Sequence, residues 1–279
     1  MERSQYPEKY YQRVEKIAEE SEIFQHPERF VQVRGKEFSL QEEGNPTALI
    51  LYMRHGKSEY KEDVNAGFNP ATDVDLTEQG QQEVHSGAQK ISSVLEGLEL
   101  KDVPVTMITS NKARAKASGQ IVRKDLNAGG FTFSEPEQKV SQATGGVKTF
   151  NRSPKEVFET IESLCDDKDI DRYWRSGKLQ EEHADFRDIE SPEELENRIL
   201  KTFLQSVDIL RKMSQKDNRT EVVVAVGHDE VLGALLAKFK LINFESKDGR
   251  LGYGEVAKFY ILNDKVVIEY AGKNYEFRI

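Results

Sequence analysis

Residues 47–58 read TALILYMRHGKS, and this stretch contains the pattern that decides the fold. The run TALILYM at 47–53 is apolar and of strand length, which is typical of a strand buried on both faces of a sheet. Arg54 and His55 follow it directly. Because ligands bind at the carboxyl ends of the strands in an open parallel α/β sheet, the stretch predicts both a central strand and the place of a site.

Two later stretches repeat this pattern of a buried strand that leads into a helix. VPVTMITS at 103–110 precedes an amphipathic helix, and EVVVAVGHDEVLGALLAKF at 221–239 contains a β-branched strand and a helix. Thr77 can cap a further helix that ends near Leu98. This alternation predicts an α/β fold with a mostly parallel central sheet and helices on both faces.

The chain is predicted to consist of an extension and one large domain. Residues 1–46 are expected to form an N-terminal helical extension and a polar connector. Residues 47–279 are expected to form the α/β domain, in which 255–272 alternates around a turn and predicts an antiparallel hairpin. The segment at about 128–190 breaks the alternation of strands and helices, so we expect an insertion that lies over a site like a lid.

The composition excludes several classes of protein. The 279 residues carry a net charge of -9, whereas proteins that bind nucleic-acid backbones carry basic stripes. The single cysteine permits neither an internal disulfide nor a thiolate metal cluster. No apolar run has the length of a membrane span, and the polar start is unlike a signal peptide. We therefore expect a cytoplasmic protein without a nucleic-acid or membrane partner.

The sequence Gly56-Lys57-Ser58 ends like a nucleotide-binding P-loop, but the rest of that motif is absent. A P-loop needs a second glycine about five residues earlier, whose turn lets backbone amides surround the phosphates. That position is Leu51. The P-loop interpretation therefore fails.

Three strand ends bring basic side chains to one predicted edge of the sheet. Arg54 and His55 follow the first strand, Arg114 lies in the first turn after the second strand, and His228 follows VVVAVG. The helices that begin at this edge add backbone amides, which favour an anion. The sequence therefore predicts a cationic, anion-binding pocket in an acidic protein.

The blocks around these residues resemble a known family. RHGKS at 54–58, DVDLTEQG at 73–80, TSNKARAKA at 109–117 and VGHDEVLGALL at 226–236 together resemble, in order, the histidine phosphatase superfamily, which includes the cofactor-dependent phosphoglycerate mutases. The resemblance extends over about 47–239. It implies a phosphoglycerate mutase-like three-layer sandwich and phosphoryl-transfer chemistry that needs neither a metal nor a bound cofactor.

The resemblance also implies roles for single residues. His55 matches the family's nucleophile, a neutral imidazole that attacks phosphorus and forms a phosphohistidine. Arg54, Arg114 and His228 match donors to the non-reacting phosphate oxygens, a geometry that suits guanidinium groups. Further candidates for substrate binding are Ser58 and Lys61.

One position departs from the family pattern. Many members supply the leaving-group proton from a glutamate downstream of the second arginine, whereas the best match, VSQATGG at 140–146, places Gln142 there. An amide can contact a substrate but cannot act as a general acid. The acid-phosphatase branch uses an aspartate after the second histidine, which Asp229 matches, although Asp229 is also suited to stabilising a helix start. The candidates for the general acid are therefore Asp229, Glu135 and Glu137.

We expect a phosphatase that hydrolyses a phosphomonoester, because the substrate-reading segment of the mutases is replaced by VNAGFNPATD at 64–73. A mutase-like phosphoryl transferase and a catalytically weak phosphate-binding or scaffold protein are the alternatives. The expected partner is a small phosphorylated substrate or a phosphoprotein. Basic residues of the insertion that favour an anionic substrate are Lys148, Arg152, Arg172 and Arg175.

Overall fold

The structure of the protein is a computed structural model of the 279-residue chain. It describes residues 45–58, 76–141, 145–148, 150, 154–165, 170–183, 186, 188–239, 241–244, 251–270 and 272–278. The strands in these ranges are β1 (Ala48–Arg54), β2 (Val105–Thr109), β3 (Lys139–Val140), β4 (Glu221–Gly227), β5 (Val256–Ile261), β6 (Lys265–Tyr270) and β7 (Lys273–Arg278). The helices are α1 (Glu78–Gly97), α2 (Ala113–Ala128), α3 (Pro154–Cys165), α4 (Ile170–Arg175), α5 (Lys178–Glu182), α6 (Pro192–Asp217) and α7 (Asp229–Lys238).

The described strands form one sheet in the order β3-β2-β4-β1-β5-β6-β7. The pairs β2·β3, β2·β4 and β1·β4 are parallel. β5 joins β1 in the antiparallel sense, and β6 and β7 continue as antiparallel neighbours. Since β6 points the same way as β1, most of these strands share one direction. The mostly parallel central sheet and the C-terminal hairpin are therefore confirmed.

Alternate side chains of the central strands enter two cores on opposite faces of the sheet. Leu51 and Met53 of β1 pack in the core that α1 and α2 cover, whereas Ile50 and Tyr52 pack in the core under α6 and α7. Burying one such aliphatic side chain contributes about 1.5–3 kcal/mol. The helices thus lie on both faces of the sheet, which confirms the predicted three-layer fold class.

Between α2 and α6, the helices α3 and α4 pack on the α6 and α7 face. Ile161 of α3 and Trp174 of α4 are buried in the same core as those two helices. α6 begins with a capping box, in which the Ser191 hydroxyl accepts from the Glu194 N–H and the Glu194 carboxylate accepts from the Ser191 N–H. The predicted N-terminal extension, residues 1–46, lies outside the described residues apart from its last two.

The start of α1 holds the loop that follows β1. The Thr77 hydroxyl accepts from the Gly80 N–H at 2.8 Å, and the Thr77 N–H donates to the Lys57 carbonyl at 3.0 Å. A Cβ on Gly56 would lie 2.1 Å from the Gly80 carbonyl oxygen, and a Cβ on Gly80 would lie 1.9 Å from the Lys57 carbonyl oxygen. Only glycine fits either position, and the contact fixes the loop that carries His55.

A second contact lies next to this one. Ser58 pairs with Leu76 in an isolated antiparallel bridge. The two ends of the chain segment 59–75 therefore meet at the base of α1.

We expect Gly80→Ala to destabilise the protein, because the added methyl group would displace the Lys57 carbonyl. The expected loss in the free energy of unfolding is about 2–4 kcal/mol. Gly97→Ala is the matched control, because it adds the same methyl group to the same helix. Outside the backbone of that helix, no atom lies within 4 Å of the added Cβ. Alanine favours a helix over glycine by up to about 1 kcal/mol. Denaturant unfolding of the three proteins measures both effects, and equal stability of the two variants would contradict the contact.

Candidate active site

The candidate site lies at the edge where β1, β2 and β4 end. β1 and β4 pair with Arg54 beside Gly227, so the residues that follow, His55 and His228, are neighbours. The His55 N–H donates to the Gly227 carbonyl at 3.0 Å. The two imidazole rings meet edge to face with their centroids 5.1 Å apart. Ser110, which follows β2, completes a group from three strand ends.

His55 is buried and neutral. Burial, with smaller effects of His228 and Arg114, holds the pKa of the His55 imidazole well below its usual range. Its Nδ1 lies 2.7 Å from the Gly56 carbonyl oxygen, which only accepts, so Nδ1 carries the hydrogen. Its Nε2 accepts a hydrogen bond from Arg114 Nε at 2.9 Å. Nε2 therefore has a lone pair and faces a guanidinium group.

His228 takes the opposite tautomer. Burial, followed by the charge of Arg114, lowers the pKa of the His228 imidazole well below its usual range. Arg114 Nη2 lies 3.3 Å from Nδ1, which must accept because a guanidinium only donates. The hydrogen is therefore on Nε2, which donates to Ser110 Oγ at 2.8 Å. The His228 backbone is held by the Tyr52 hydroxyl, which bonds its N–H and its carbonyl, both at 3.0 Å.

Arg114 joins the two histidines from the first turn of α2. The Ser118 hydroxyl, one turn further along, donates to the Arg114 carbonyl at 2.7 Å and accepts from the Gly56 N–H at 3.2 Å. The start of α2 is thereby attached to the loop after β1. The N–H groups at the start of this helix add to the positive potential of the guanidinium group.

Arg54 is held on three sides. Its Nη1 donates to the Leu251 carbonyl at 2.7 Å, and its guanidinium lies 3.8 Å from the centre of the Tyr253 ring. Its Nη2 lies 3.4 Å from Asp229 Oδ1. In the described part of the chain, its buried Nε has no hydrogen-bond partner. This Nε is a donor that an anion can use.

Asp229 is the first residue of α7 and is 6% exposed. Arg54 lies near its Oδ1, and Arg175 Nη2 lies 3.3 Å from its Oδ2. Burial and the adjacent Glu230 raise the pKa of Asp229 to about 6, against the lowering effect of the two guanidinium groups. A carboxyl group with this pKa can exchange a proton near neutral pH.

The remaining residues that were predicted to bind substrate or to donate a proton lie in different environments. Ser58 is 5% exposed, and its Oγ has no hydrogen-bond partner among the described residues, so it is a further available donor. Lys61 and Gln142 lie outside the described residues. The Glu135 side chain is 48% exposed and pairs with a lysine on β3 at 3.0 Å, and Glu137 is also exposed. Of the three candidate acids, Asp229 is the one in contact with Arg54.

Of the four basic residues in the segment 128–190 that were predicted to favour an anionic substrate, the structure describes the side chains of two. Lys148 is exposed, whereas Arg175 is buried against Asp229. Arg152 and the side chain of Arg172 lie outside what the structure describes.

Sequence reasoning missed several contacts. Ser110 lies at a strand end within the stretch 109–117, so its position in the sequence could have indicated its contact with His228. Leu251 and Tyr253 lie in the loop before β5, where no periodic pattern points to them. They reach Arg54 because β5 is the sheet neighbour of β1.

This arrangement is suited to an anion. Two guanidinium groups and two neutral imidazoles lie together at the strand ends, and guanidinium donors suit phosphate geometry. Within the described ranges, no group of three or more His, Cys, Asp or Glu residues forms a metal site. None of the helices described has the length and apolar character to cross a membrane.

The fold and the site together define an α/β protein with a buried two-histidine, two-arginine pocket. Neither a scan against protein-family models nor a search of curated proteins finds a match. Solved structures do match. A mycobacterial hydrolase is 15% identical over 76% of this chain and 91% of its own, with a TM-score of 0.49.

Two further solved structures have similar values. A mutant phosphoserine phosphatase from Entamoeba histolytica, in complex with phosphoserine, is 16% identical over 82% of this chain and 94% of its own, with a TM-score of 0.47. A mycobacterial glucosyl-3-phosphoglycerate phosphatase is 17% identical over 76% of this chain and 89% of its own, with a TM-score of 0.47.

The two histidines are expected to show opposite neutral tautomers in solution at pH 7. Nδ1 of His55 should be protonated because it donates to Gly56, and Nε2 of His228 should be protonated because it donates to Ser110. Long-range ¹H–¹⁵N correlation spectra of the imidazoles distinguish the tautomers, with His55→Ala and His228→Ala for assignment. Two imidazolium rings, or the same tautomer at both positions, would refute the hydrogen-bond arrangement.

Proposed function

We propose that the protein is a phosphatase of the histidine phosphatase type, which hydrolyses a phosphomonoester through a phosphohistidine on His55. The observation that carries the proposal is the state of His55. Its Nδ1–H is fixed by the Gly56 carbonyl, and its unprotonated Nε2 lies 2.9 Å from Arg114 Nε. A neutral imidazole with its reactive nitrogen beside a guanidinium group is suited to attack on phosphorus.

In the first step, the Nε2 lone pair of His55 forms the N–P bond while the P–O bond to the leaving group breaks. Negative charge on the three non-reacting oxygens is stabilised by fixed donors. Arg114 exchanges its hydrogen bond with His55 for one with phosphate, and the available donors on Arg54 Nε and Ser58 Oγ add to it. Arginine suits this task because its fork of donors matches phosphate oxygens.

His228 has two parts in this proposal. In the free protein its Nδ1 accepts from Arg114 and its Nε2 donates to Ser110, so the ring orients the guanidinium group. A bound phosphate dianion favours the protonated form of a nearby imidazole. His228 takes up a proton from solvent on Nδ1 as phosphate binds, donates this N–H in a hydrogen bond to a phosphate oxygen, and returns the proton to solvent when phosphate leaves.

Asp229 is the general acid in this proposal. Its pKa of about 6 lets the carboxyl group give a proton to the leaving oxygen as the P–O bond breaks. In the second step, water attacks the phosphohistidine, the N–P bond breaks, and the Asp229 carboxylate takes a proton from that water. Inorganic phosphate leaves, and both His55 and Asp229 return to their starting forms.

The substrate class is a small phosphorylated molecule or a phosphoprotein. In this proposal the donors contact only the phosphoryl group, which these substrates have in common. We place the activity in the cytoplasm, because a single cysteine fits a reducing compartment. A net charge of -9 does not favour nucleic acid as the substrate.

His55→Ala should abolish phosphate release, with a loss of about 10³-fold or more, because the nucleophile is removed. The measurement is steady-state phosphate release from a panel of phosphomonoesters in the presence of a chelator. His85→Ala is the matched control, since His85 is an exposed histidine of α1 that pairs with Asp125. Rapid quenching with ³²P-labelled substrate should trap an acid-labile phosphoenzyme in the wild type only.

Other outcomes of that experiment would decide against hydrolysis. Release of an isomerised product would favour a mutase. Vanadate binding without any phosphate release from the panel would favour a phosphate-binding protein. Activity that persists in His55→Ala would rule out the phosphohistidine route.

Asp229→Asn should lower kcat for alkyl phosphates by about 10²–10⁴-fold, the usual contribution of a general acid. The loss should be smaller for 4-nitrophenyl phosphate, whose leaving group departs without a proton. The double variant Glu135→Gln with Glu137→Gln is the control and should keep wild-type activity, because both side chains are exposed. An equal loss on both substrates, or a loss in the control, would remove Asp229 from this role.

A further inference from the structure

Arg175, which lies in the segment 128–190, contacts Asp229. Its Nη2 lies 3.3 Å from Asp229 Oδ2, and its side chain is 2% exposed. The guanidinium group also lies 4.6 Å from the centre of the Phe244 ring. A Cβ on Gly233 would lie 3.1 Å from Phe244 and 3.7 Å from Arg175 Nη1, so the glycine in α7 leaves room for this packing.

The two oxygens of Asp229 have different neighbours. Oδ1 lies 3.4 Å from Arg54, which reaches into the pocket, whereas Oδ2 faces Arg175, which is buried in the insertion. Because each oxygen has its own partner, the rotation of the carboxyl group is restricted, and Oδ1 stays on the side of Arg54. When phosphate draws on the donors of Arg54, Oδ1 is the oxygen that becomes available for a proton.

We propose that Arg175 is a positioning residue for the general acid, which anchors Oδ2 of Asp229 so that Oδ1 faces the leaving group. This inference rests on the proposed function. Arg175 lies at the end of α4, and the neighbouring Trp174 packs edge to face on Phe244 with ring centroids 5.9 Å apart. The packing of this helix thereby sets the orientation of the Asp229 carboxyl group, and in this proposal Arg175 does not itself contact the substrate.

The charged and titratable groups around Asp229 allow a signed pH prediction. Arg54 and Arg175 lower the pKa of Asp229, whereas burial and Glu230 raise it. Tyr52 and Tyr270 are the nearby phenols, and burial raises the pKa of each, so both stay protonated near neutral pH. Removal of Arg175 therefore raises the pKa of Asp229 and extends its protonated form to higher pH.

The test compares pH profiles of kcat and kcat/KM for wild type, Arg175→Met and Arg175→Lys. Arg175→Met should lower kcat about 10-fold or more and move the alkaline limb upward by about one pH unit. Arg175→Lys retains the charge and should keep the limb near its wild-type position, with a smaller loss of kcat. Lys238→Met is the control, because it removes a positive charge from α7 that pairs with Glu196 and not with Asp229. Titration of the substrate phosphate is common to all variants and cancels in the comparison.

A second readout does not depend on turnover. The ¹³C shift of the Asp229 carboxyl group should titrate at higher pH in Arg175→Met than in the wild type, with Asp229→Asn for assignment. Thermal unfolding confirms that each variant is folded. An unchanged titration in folded Arg175→Met overturns the inference even if the wild type hydrolyses phosphomonoesters through His55. A shifted titration in a protein without phosphatase activity overturns the proposed function instead.

Chemical rescue provides a third arm. Arg175 lines a cavity of about 720 Å³ together with Gln180, Phe186 and the start of α6. In Arg175→Ala, a small solute can enter from this cavity into the space that the side chain leaves. Millimolar guanidinium should restore part of kcat in Arg175→Ala, whereas sodium chloride at equal ionic strength should not. Rescue of Asp229→Asn to the same degree, or no rescue of Arg175→Ala, would overturn the positioning role.

Discussion

The parallel pairing of β1 with β4 is the constraint on which the rest of the site depends. The register places Arg54 beside Gly227, so His55 and His228 are the first residues beyond the sheet on either strand. β1 is buried up to Met53 and β4 along its whole length, and each strand supplies side chains to both cores. A slip by one residue would exchange the two sets of side chains, so the register is strongly fixed. The spacing of the two imidazoles is thus set by apolar packing in the sheet.

Burial then determines the chemistry of the two rings. A charged imidazole is costly in a site that excludes water, and Arg114 adds a positive charge beside both rings. Each ring is therefore neutral, and its tautomer follows from one fixed partner, the Gly56 carbonyl for His55 and the Arg114 guanidinium group for His228. The result is a positive pocket with an unprotonated nitrogen at its centre, inside a chain of net charge -9.

The parts that could be predicted from the sequence are those that depend on local patterns. Buried strands can be recognised by their apolar runs, and the residue after such a strand lies at the sheet edge whatever the remainder of the chain does. Arg54 and His228 were therefore predictable at that edge. Tyr253 was not, because its contact depends on the order of the strands, which places β5 beside β1. The contact of Arg175 with Asp229 joins residues 54 positions apart through the packing of the insertion, for which the sequence has no periodic signal.

The contacts at the base of α1 separate the loop that carries His55 from the part of the chain that follows Ser58. Gly56 contacts Gly80, and Ser58 pairs with Leu76. The described residues on either side of 59–75 are therefore held together. The entropic cost of a longer loop grows slowly once its ends are fixed. The loop that carries His55 is therefore positioned by contacts of Gly56, Ser58, Leu76 and Gly80, which lie outside residues 59–75. Variation in that part of the chain is thereby separated from the cluster of two histidines and two arginines at the strand ends, which is held by its own contacts.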